Sequence, residues 1–158
     1  MTLGFVTRPL TFLARGLDLL HAPFALATRI YVGRVFLKSG WWKITNWDQT
    51  ISLFESEYKV PLLSPHLGAI AGTFGELFFP TLLVLGLAGR VGALGTFAVN
   101  VIAVVSYYHV LGQEGFEAAL WQHYLWGFML AMLTVYGTGA FSVDRVLAHT
   151  SRAERDWD

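Results

Sequence analysis

The stretch ALATRIYVGRVFLKSGWWKI, residues 25–44, decides the fold prediction because it is long and apolar and yet strongly basic. An α-helix needs about 20 mostly apolar residues to cross the hydrocarbon core of a membrane, and this stretch has that length. Four basic side chains interrupt it: Arg29, Arg34, Lys38 and Lys43. Because a charge at the bilayer centre costs roughly 2.5–3.5 kcal/mol, we expect these residues to pair with acids or to line a polar cavity.

The whole chain has the composition of a membrane protein. Of its 158 residues, 54% are hydrophobic and 14% are charged, whereas soluble domains carry about 25% charged residues. The formal net charge is zero, which suggests no nucleic-acid partner. There is no cysteine, which excludes thiol–disulfide chemistry and cysteine-ligated iron–sulfur clusters on this chain. A redox role therefore needs a bound cofactor, a quinone or a partner subunit.

The hydrophobic segments predict an all-α integral membrane protein, a four-helix bundle that forms a single domain over residues 1–158. The predicted transmembrane helices are about residues 23–42, 65–87, 91–111 and 119–139. Ahead of them, residues 1–21 predict either an interfacial segment or a frayed tail. Phe5, Phe12, Leu13, Leu17 and Leu20 would form its apolar face, with Arg8 and Arg15 near the head groups.

A short amphipathic helix is predicted between the first two transmembrane helices. Ile51, Phe54 and Tyr58 recur there at helical spacing, with charged residues between them. The helix either lies on the membrane surface or closes the outer end of the bundle.

The basic residues in the short flanking segments predict the orientation. One side carries Arg8, Arg15, Arg90, Arg145, Arg152 and Arg155. The other side carries only Lys43 and Lys59. We therefore expect a multi-pass protein of the bacterial inner membrane with both termini in the cytoplasm.

Antiparallel packing predicts one polar level in the middle of the bundle. Arg34, Glu76 and Asn100 lie near the centres of the first three predicted helices. We expect an Arg34–Glu76 ion pair with Asn100 as a third partner, and Lys38 about 6 Å outward on the face of Arg34. Such a pair either fixes the helix register or forms a ligand site or a proton relay.

The two ends of the first helix have a simpler explanation. Arg29 and Lys43 are expected near the two membrane interfaces, where long basic side chains reach the head groups. The tryptophans predict an interfacial belt: Trp41, Trp42, Trp47, Trp121 and Trp126.

Two histidines are predicted near the outer ends of neighbouring helices. His109 and His123, with Tyr108 nearby, are interpreted as interfacial residues wetted by head groups, as ligands of a b-type haem or a metal, or as hydrogen-bond donors to a quinone. No H-E-x-x-H motif occurs, and no metal site is assigned.

Two motifs resemble the DoxX family. The first runs from Arg29 to Lys43 and is similar to the pattern R-x(3)-G-x(2)-F-x(2)-S-G-x(2)-K. The second runs from Glu76 to Arg90 and resembles E…L-x-L-G-L-x-T-R, with Gly89 where the family often has threonine. The resemblance covers about residues 28–147.

The resemblance implies a small inner-membrane protein of four helices. Family members are linked to quinone-reducing or quinol-oxidising complexes, and to oxidative-stress complexes with soluble partners. The pattern singles out Arg29, Gly33, Arg34, Gly40, Lys43, Glu76, Gly86 and Arg90. It does not include His109 or His123.

Three functions compete at this point. The first is a redox-associated membrane subunit, at most part of an oxidoreductase, that binds a quinone or a similar small ligand between the helices. The second is a non-catalytic anchor, or an assembly or stress-response factor, for a partner complex. The third is a transporter for a small solute or a metal ion. The expected partners are the lipid bilayer, a soluble or membrane redox protein, and a second copy of the chain.

Overall fold

The structure is a computed structural model that describes residues 3–148, with side chains from residue 11 onward except at Leu13. Within this range the chain is all-helical, as predicted. The elements are α1 (Leu3–Thr45), α2 (Trp47–Ser56), α3 (Pro65–Leu85), α4 (Gly89–Leu111) and α5 (Glu117–Tyr136), followed by a helical turn at 143–148. The predicted short helix is confirmed as α2, and α3, α4 and α5 begin and end within a few residues of the predicted bounds.

α1 departs most from the prediction. It is unbroken over 43 residues, about 64 Å at the rise of an α-helix, so the N-terminal segment is not a separate element. Phe12, Leu19 and Phe24, in the N-terminal half of α1, are 82%, 78% and 76% exposed. The side chains of Phe5, Arg8 and Leu13, which belong to the predicted interfacial face, lie outside the described part, as do Arg152 and Arg155.

The four long helices pack in a closed ring. α1 contacts α3, α3 contacts α4, α4 contacts α5, and α5 contacts α1. α4 and α5 are antiparallel, since Asn100 contacts His123 while Phe97 lies beside Gly127. α2 packs across α1 and α3 at one end of the ring.

The two ends of α3 and the start of α4 have local causes. α3 begins with Ser64, whose side chain accepts from the Leu67 amide, and ends at Gly86 with a left-handed φ of 67°. The carboxylate of Asp144 accepts from the amides of Ala88 and Gly89 at 2.8 and 3.0 Å. This contact places a negative charge at the N-terminus of α4, where the helix dipole favours it.

Burial in this molecule differs from burial in a soluble protein, because polar side chains are buried beside the apolar core and many large apolar side chains are exposed. The buried polar side chains include Arg29, Lys43, Thr50, Glu76, Thr96, Asn100 and Ser106. The exposed apolar side chains include Phe74, Leu94, Val105, Phe128 and Val135, each more than half exposed. In the described part, α3 and α4 are the two helices long and apolar enough to cross a membrane.

Candidate functional site

A cavity of about 540 Å³ lies within the helix ring, beneath α2 and the loop that follows it. Its wall is mostly apolar, and all five helices contribute side chains. The polar side chains in the wall are Ser39, Lys43, Tyr58, Glu76, Ser106, Tyr107, His123 and Trp126. Ligand pockets commonly measure about 300–1,000 Å³ and combine apolar walls with a few placed polar groups, so the cavity has the size and character of a binding site.

The charged part of the wall is an ion pair between α1 and α3. Lys43 Nζ donates to the two carboxylate oxygens of Glu76 at 2.5 and 2.6 Å, and to Ser39 Oγ at 3.0 Å. The two charged side chains are 8% and 10% exposed. Thr50 Oγ1 donates to the Lys43 carbonyl at 3.0 Å, which anchors α2 at the same place. The pair therefore satisfies two charges that an apolar wall alone leaves without partners.

The predicted Arg34–Glu76 pair is wrong. Lys43, nine residues after Arg34, is the partner of Glu76. Nine steps of about 100° rotate a side chain to the opposite face of a helix. Arg34 and Lys38 are exposed and contribute nothing to the cavity wall.

The axial register of α1 on α3 is a second reason why Arg34 does not reach Glu76. Gly33 packs against Val84, whereas Gly40 packs against Glu76 and Leu77. Arg34 is the neighbour of Gly33 and lies six residues before Gly40, about 9 Å along the axis. It is therefore both rotated away from Glu76 and displaced from its level.

Arg29 is also placed differently from the prediction. It is 1% exposed and donates to the carbonyls of Thr138 and Phe141 at 2.7 Å, and to that of Val84 at 3.3 Å. It thus ties the segment after α5 to the end of α3. Because both side chains are buried within the protein, the expectation that Arg29 and Lys43 reach the head groups is wrong for both residues.

A spacing in the sequence could have revealed these placements. Residues 29, 33, 36, 40 and 43 recur at intervals of four and three, which is the spacing of a packed helix face. Residues 34 and 38 fall outside this series.

Asn100 bonds to His123 rather than to the ion pair. Asn100 Nδ2 donates to the backbone carbonyl of His123 at 3.0 Å, and the Asn100 Oδ1 to His123 Nδ1 distance is 2.8 Å. The backbone carbonyl of His123 can only accept a hydrogen bond, so Asn100 turns Nδ2 toward this carbonyl and Oδ1 toward the imidazole ring. Since Oδ1 also only accepts, the ring hydrogen is on His123 Nδ1. The lone pair of the neutral ring is then on Nε2, and the imidazole belongs to the cavity wall.

The two histidines do not lie at one depth. His123 is level with Asn100, while His109 lies nine residues farther along α4, about 13 Å away along the axis. His109 and Tyr108 are exposed and outside the wall, and the His109 ring meets the edge of Tyr107. The two histidines therefore do not face one common site in this structure.

The loop after α2 forms the roof of the cavity. Tyr58 stacks between Phe54 and Tyr107, with ring centroids at 4.7 and 4.8 Å. Tyr107 donates to a carboxylate oxygen of Glu57 at 2.7 Å. Burial first, and then the negative charge of Glu76, raise the pKa of Tyr58 to about 12. The roof therefore presents a neutral phenol at ordinary pH.

Ser106 and Trp126 are among the polar groups of the wall that the sequence interpretation missed. Ser106 Oγ and Trp126 Nε1 are buried and have no hydrogen-bond partner among the described residues. Trp126, predicted to be interfacial, instead packs edge-on against Phe36 and His123. Its spacing of three residues from His123 is the signal that places both on one face of α5.

Three further observations bear on the identity of the protein. Within residues 3–148, no group of three or more histidine, aspartate or glutamate side chains is arranged to hold a metal ion. A family model described as DoxX matches residues 24–109. No curated protein and no solved structure gave a significant match.

Proposed function

The chain belongs to the DoxX family of membrane proteins, and from this premise we propose that it crosses the bilayer four times and binds a quinone in the cavity. The crossing helices would be α3, α4, α5 and the part of α1 that packs on them. The protein would act as a membrane subunit of a redox complex in the bacterial inner membrane, with both termini in the cytoplasm.

The burial pattern supports the membrane part of the proposal. Large apolar side chains such as Phe74 and Phe128 are exposed on the outside of the ring, whereas Lys43, Glu76 and Asn100 are buried within it. Hydrocarbon favours this arrangement, because ionisable residues in membrane proteins face the interior of the bundle and pair there.

The charge balance of the cavity carries the quinone part of the proposal. Lys43 and Glu76 cancel each other, and His123 in its neutral form adds no charge. A cavity that is neutral overall and mostly apolar favours a neutral ring compound over an ion. A quinone is such a compound, it is dissolved in the membrane itself, and the family resemblance links related proteins to quinone chemistry.

The residues of the wall have distinct roles in this proposal. A bound quinone supplies two-electron, two-proton chemistry. Phe36 and Val99 would contact the ring. The Glu76 carboxylate and His123 Nε2 are the groups that can accept a proton, and Lys43 holds the carboxylate in position by two hydrogen bonds.

The experiment measures the quinone held by the purified protein. The chain is purified in mild detergent, extracted with hexane and assayed for quinone by chromatography. Ala103, in the cavity wall, is replaced by tryptophan to fill the cavity. Val101, on the same helix and 42% exposed, is replaced by tryptophan as the matched control.

We expect quinone in the wild type and in Val101→Trp, and at least a tenfold loss in Ala103→Trp. Thermal unfolding establishes that the two variants are folded. Wild-type protein that holds no endogenous quinone and does not bind added menadione would contradict the proposal. Equal amounts of quinone in the two variants would contradict the placement of the quinone in this cavity.

A non-catalytic anchor or assembly factor is the second candidate. The observation that favours it is the position of the Lys43–Glu76 pair, which joins α1 to α3 and, through Thr50, to α2. On this alternative the pair is structural, and the wild-type protein holds no quinone.

A further inference from the structure

Two hydrogen-bond donors in the cavity wall have no partner among the described residues. The indole Nε1–H of Trp126 only donates, and the hydroxyl of Ser106 donates and accepts. Both atoms are buried, and Ser106 is 1% exposed. A buried donor without a partner is unfavourable, so a ligand that accepts a hydrogen bond from it gains affinity.

The two donors lie at different depths. The Asn100–His123 contact sets the level of α4 against α5. Ser106 is six residues outward from Asn100, and Trp126 is three residues inward from His123. Their Cα atoms are therefore about 13 Å apart along the axes.

The direction of the side chains narrows this gap. The Cα–Cβ bond of a helical residue tilts toward the N-terminus of its own helix. Since α4 and α5 are antiparallel, the side chains of Ser106 and Trp126 lean toward each other across the cavity. A single carbonyl cannot meet both donors, whereas a ring with acceptors at opposite ends can.

We propose that the cavity selects a 1,4-quinone, with one carbonyl accepting from Trp126 Nε1–H at the level of the Lys43–Glu76 pair and the other accepting from Ser106 Oγ–H near the roof. This inference rests on the proposed function and specifies it. It assigns Ser106 and Trp126 as ligand-binding residues and names the substitution pattern of the ring.

The test compares two bicyclic probes of similar size that differ in the number of carbonyls. Menadione has two carbonyls in 1,4 positions, and 1-tetralone has one. Their affinities are measured by equilibrium dialysis against the full chain, Ser106→Ala and Trp126→Phe. Ser52→Ala and Trp121→Phe are the matched controls, because these two side chains are exposed and outside the wall.

We expect the wild type to bind menadione about two- to tenfold more tightly than 1-tetralone, the value of one neutral hydrogen bond. Each cavity variant should lose about that factor for menadione and little for 1-tetralone, since either remaining donor can serve a single carbonyl. The controls should behave as the wild type.

The outcomes separate this inference from the proposed function. If menadione does not bind the wild type, the proposed function fails. If menadione binds but no more tightly than 1-tetralone, or if the two cavity variants keep the wild-type preference, the inference fails alone. If the inference fails alone, ordered water accepts the hydrogen bonds of the two donors.

Discussion

Lys43 and Glu76 each place a charge in a largely apolar wall, and each is costly without the other. The two hydrogen bonds to the carboxylate and the third to Ser39 satisfy all three protons of the Lys43 ammonium. The pair is therefore stable as a unit, and its value to the fold is a property of both residues together.

Removing one partner of this pair should be worse than removing both. We expect Lys43→Met and Glu76→Met each to lower the free energy of unfolding by about 3–5 kcal/mol, because each leaves a buried charge without a partner. The double variant should lose much less than the sum of the two. The free energies are measured by denaturant unfolding in detergent micelles. Lys38→Met is the control and should change the value by less than about 0.5 kcal/mol, since Lys38 is exposed. Additive losses in the double variant would argue against a coupled pair.

At the scale of helices, small residues decide how closely α3 and α4 approach. A Cβ atom added at Gly92 would lie 2.6 Å from the backbone nitrogen of Leu83. Backbone atoms cannot move aside as a flexible side chain can. The close packing of the two helices at their connecting turn therefore depends on the absence of a side chain at Gly92.

Gly92→Ala should separate α3 from α4 and lower the free energy of unfolding by about 1–3 kcal/mol, the usual cost of overpacking. Gly16→Ala is the matched control, because nothing lies within 4 Å of the added atom. That change should stabilise α1 by up to about 1 kcal/mol through helix propensity. The stability changes of the two variants are measured by thermal unfolding, monitored by circular dichroism. A Gly92→Ala protein as stable as the wild type would contradict the packing argument.

For the whole molecule, the ring of antiparallel helices places successive turns at opposite ends. The α3–α4 turn contains Leu87, and the α4–α5 turn contains Glu114. If the ring crosses a bilayer as proposed, these two turns face opposite compartments. The chain has no cysteine, so a thiol-specific reagent labels only the one cysteine that is introduced.

We expect a membrane-impermeant maleimide to label Glu114→Cys in intact spheroplasts, and Leu87→Cys only after the membrane is permeabilised. The excess of arginine on the side of Leu87 is the reason for this direction. The wild-type chain, which cannot react, is the control. Labelling of both positions in intact spheroplasts would contradict the proposed crossings, and the opposite pattern would contradict only the orientation.

The sequence alone determined the helices and the region of the site. Helix bounds follow from local hydrogen bonding and from the length of apolar segments, so α3, α4 and α5 were predicted closely. The same apolar background made Glu76 stand out, and it does lie in the cavity wall. The length of α1 differs from the prediction, because Pro23 is typical of a helix start and yet the helix continues through it.

Only the tertiary structure decided which side chains meet. Whether Arg34 or Lys43 reaches Glu76 depends on the rotation of α1 about its axis and on its register along α3. Both are set by contacts far apart in sequence, such as Gly33 with Val84 and Gly40 with Leu77. Rotating α1 by half a turn changes neither the length of its apolar segment nor its composition. The rotation nevertheless decides which basic residue, Arg34 or Lys43, faces Glu76. For this reason the sequence located the acid of the site, and the packing of the helices selected its partner.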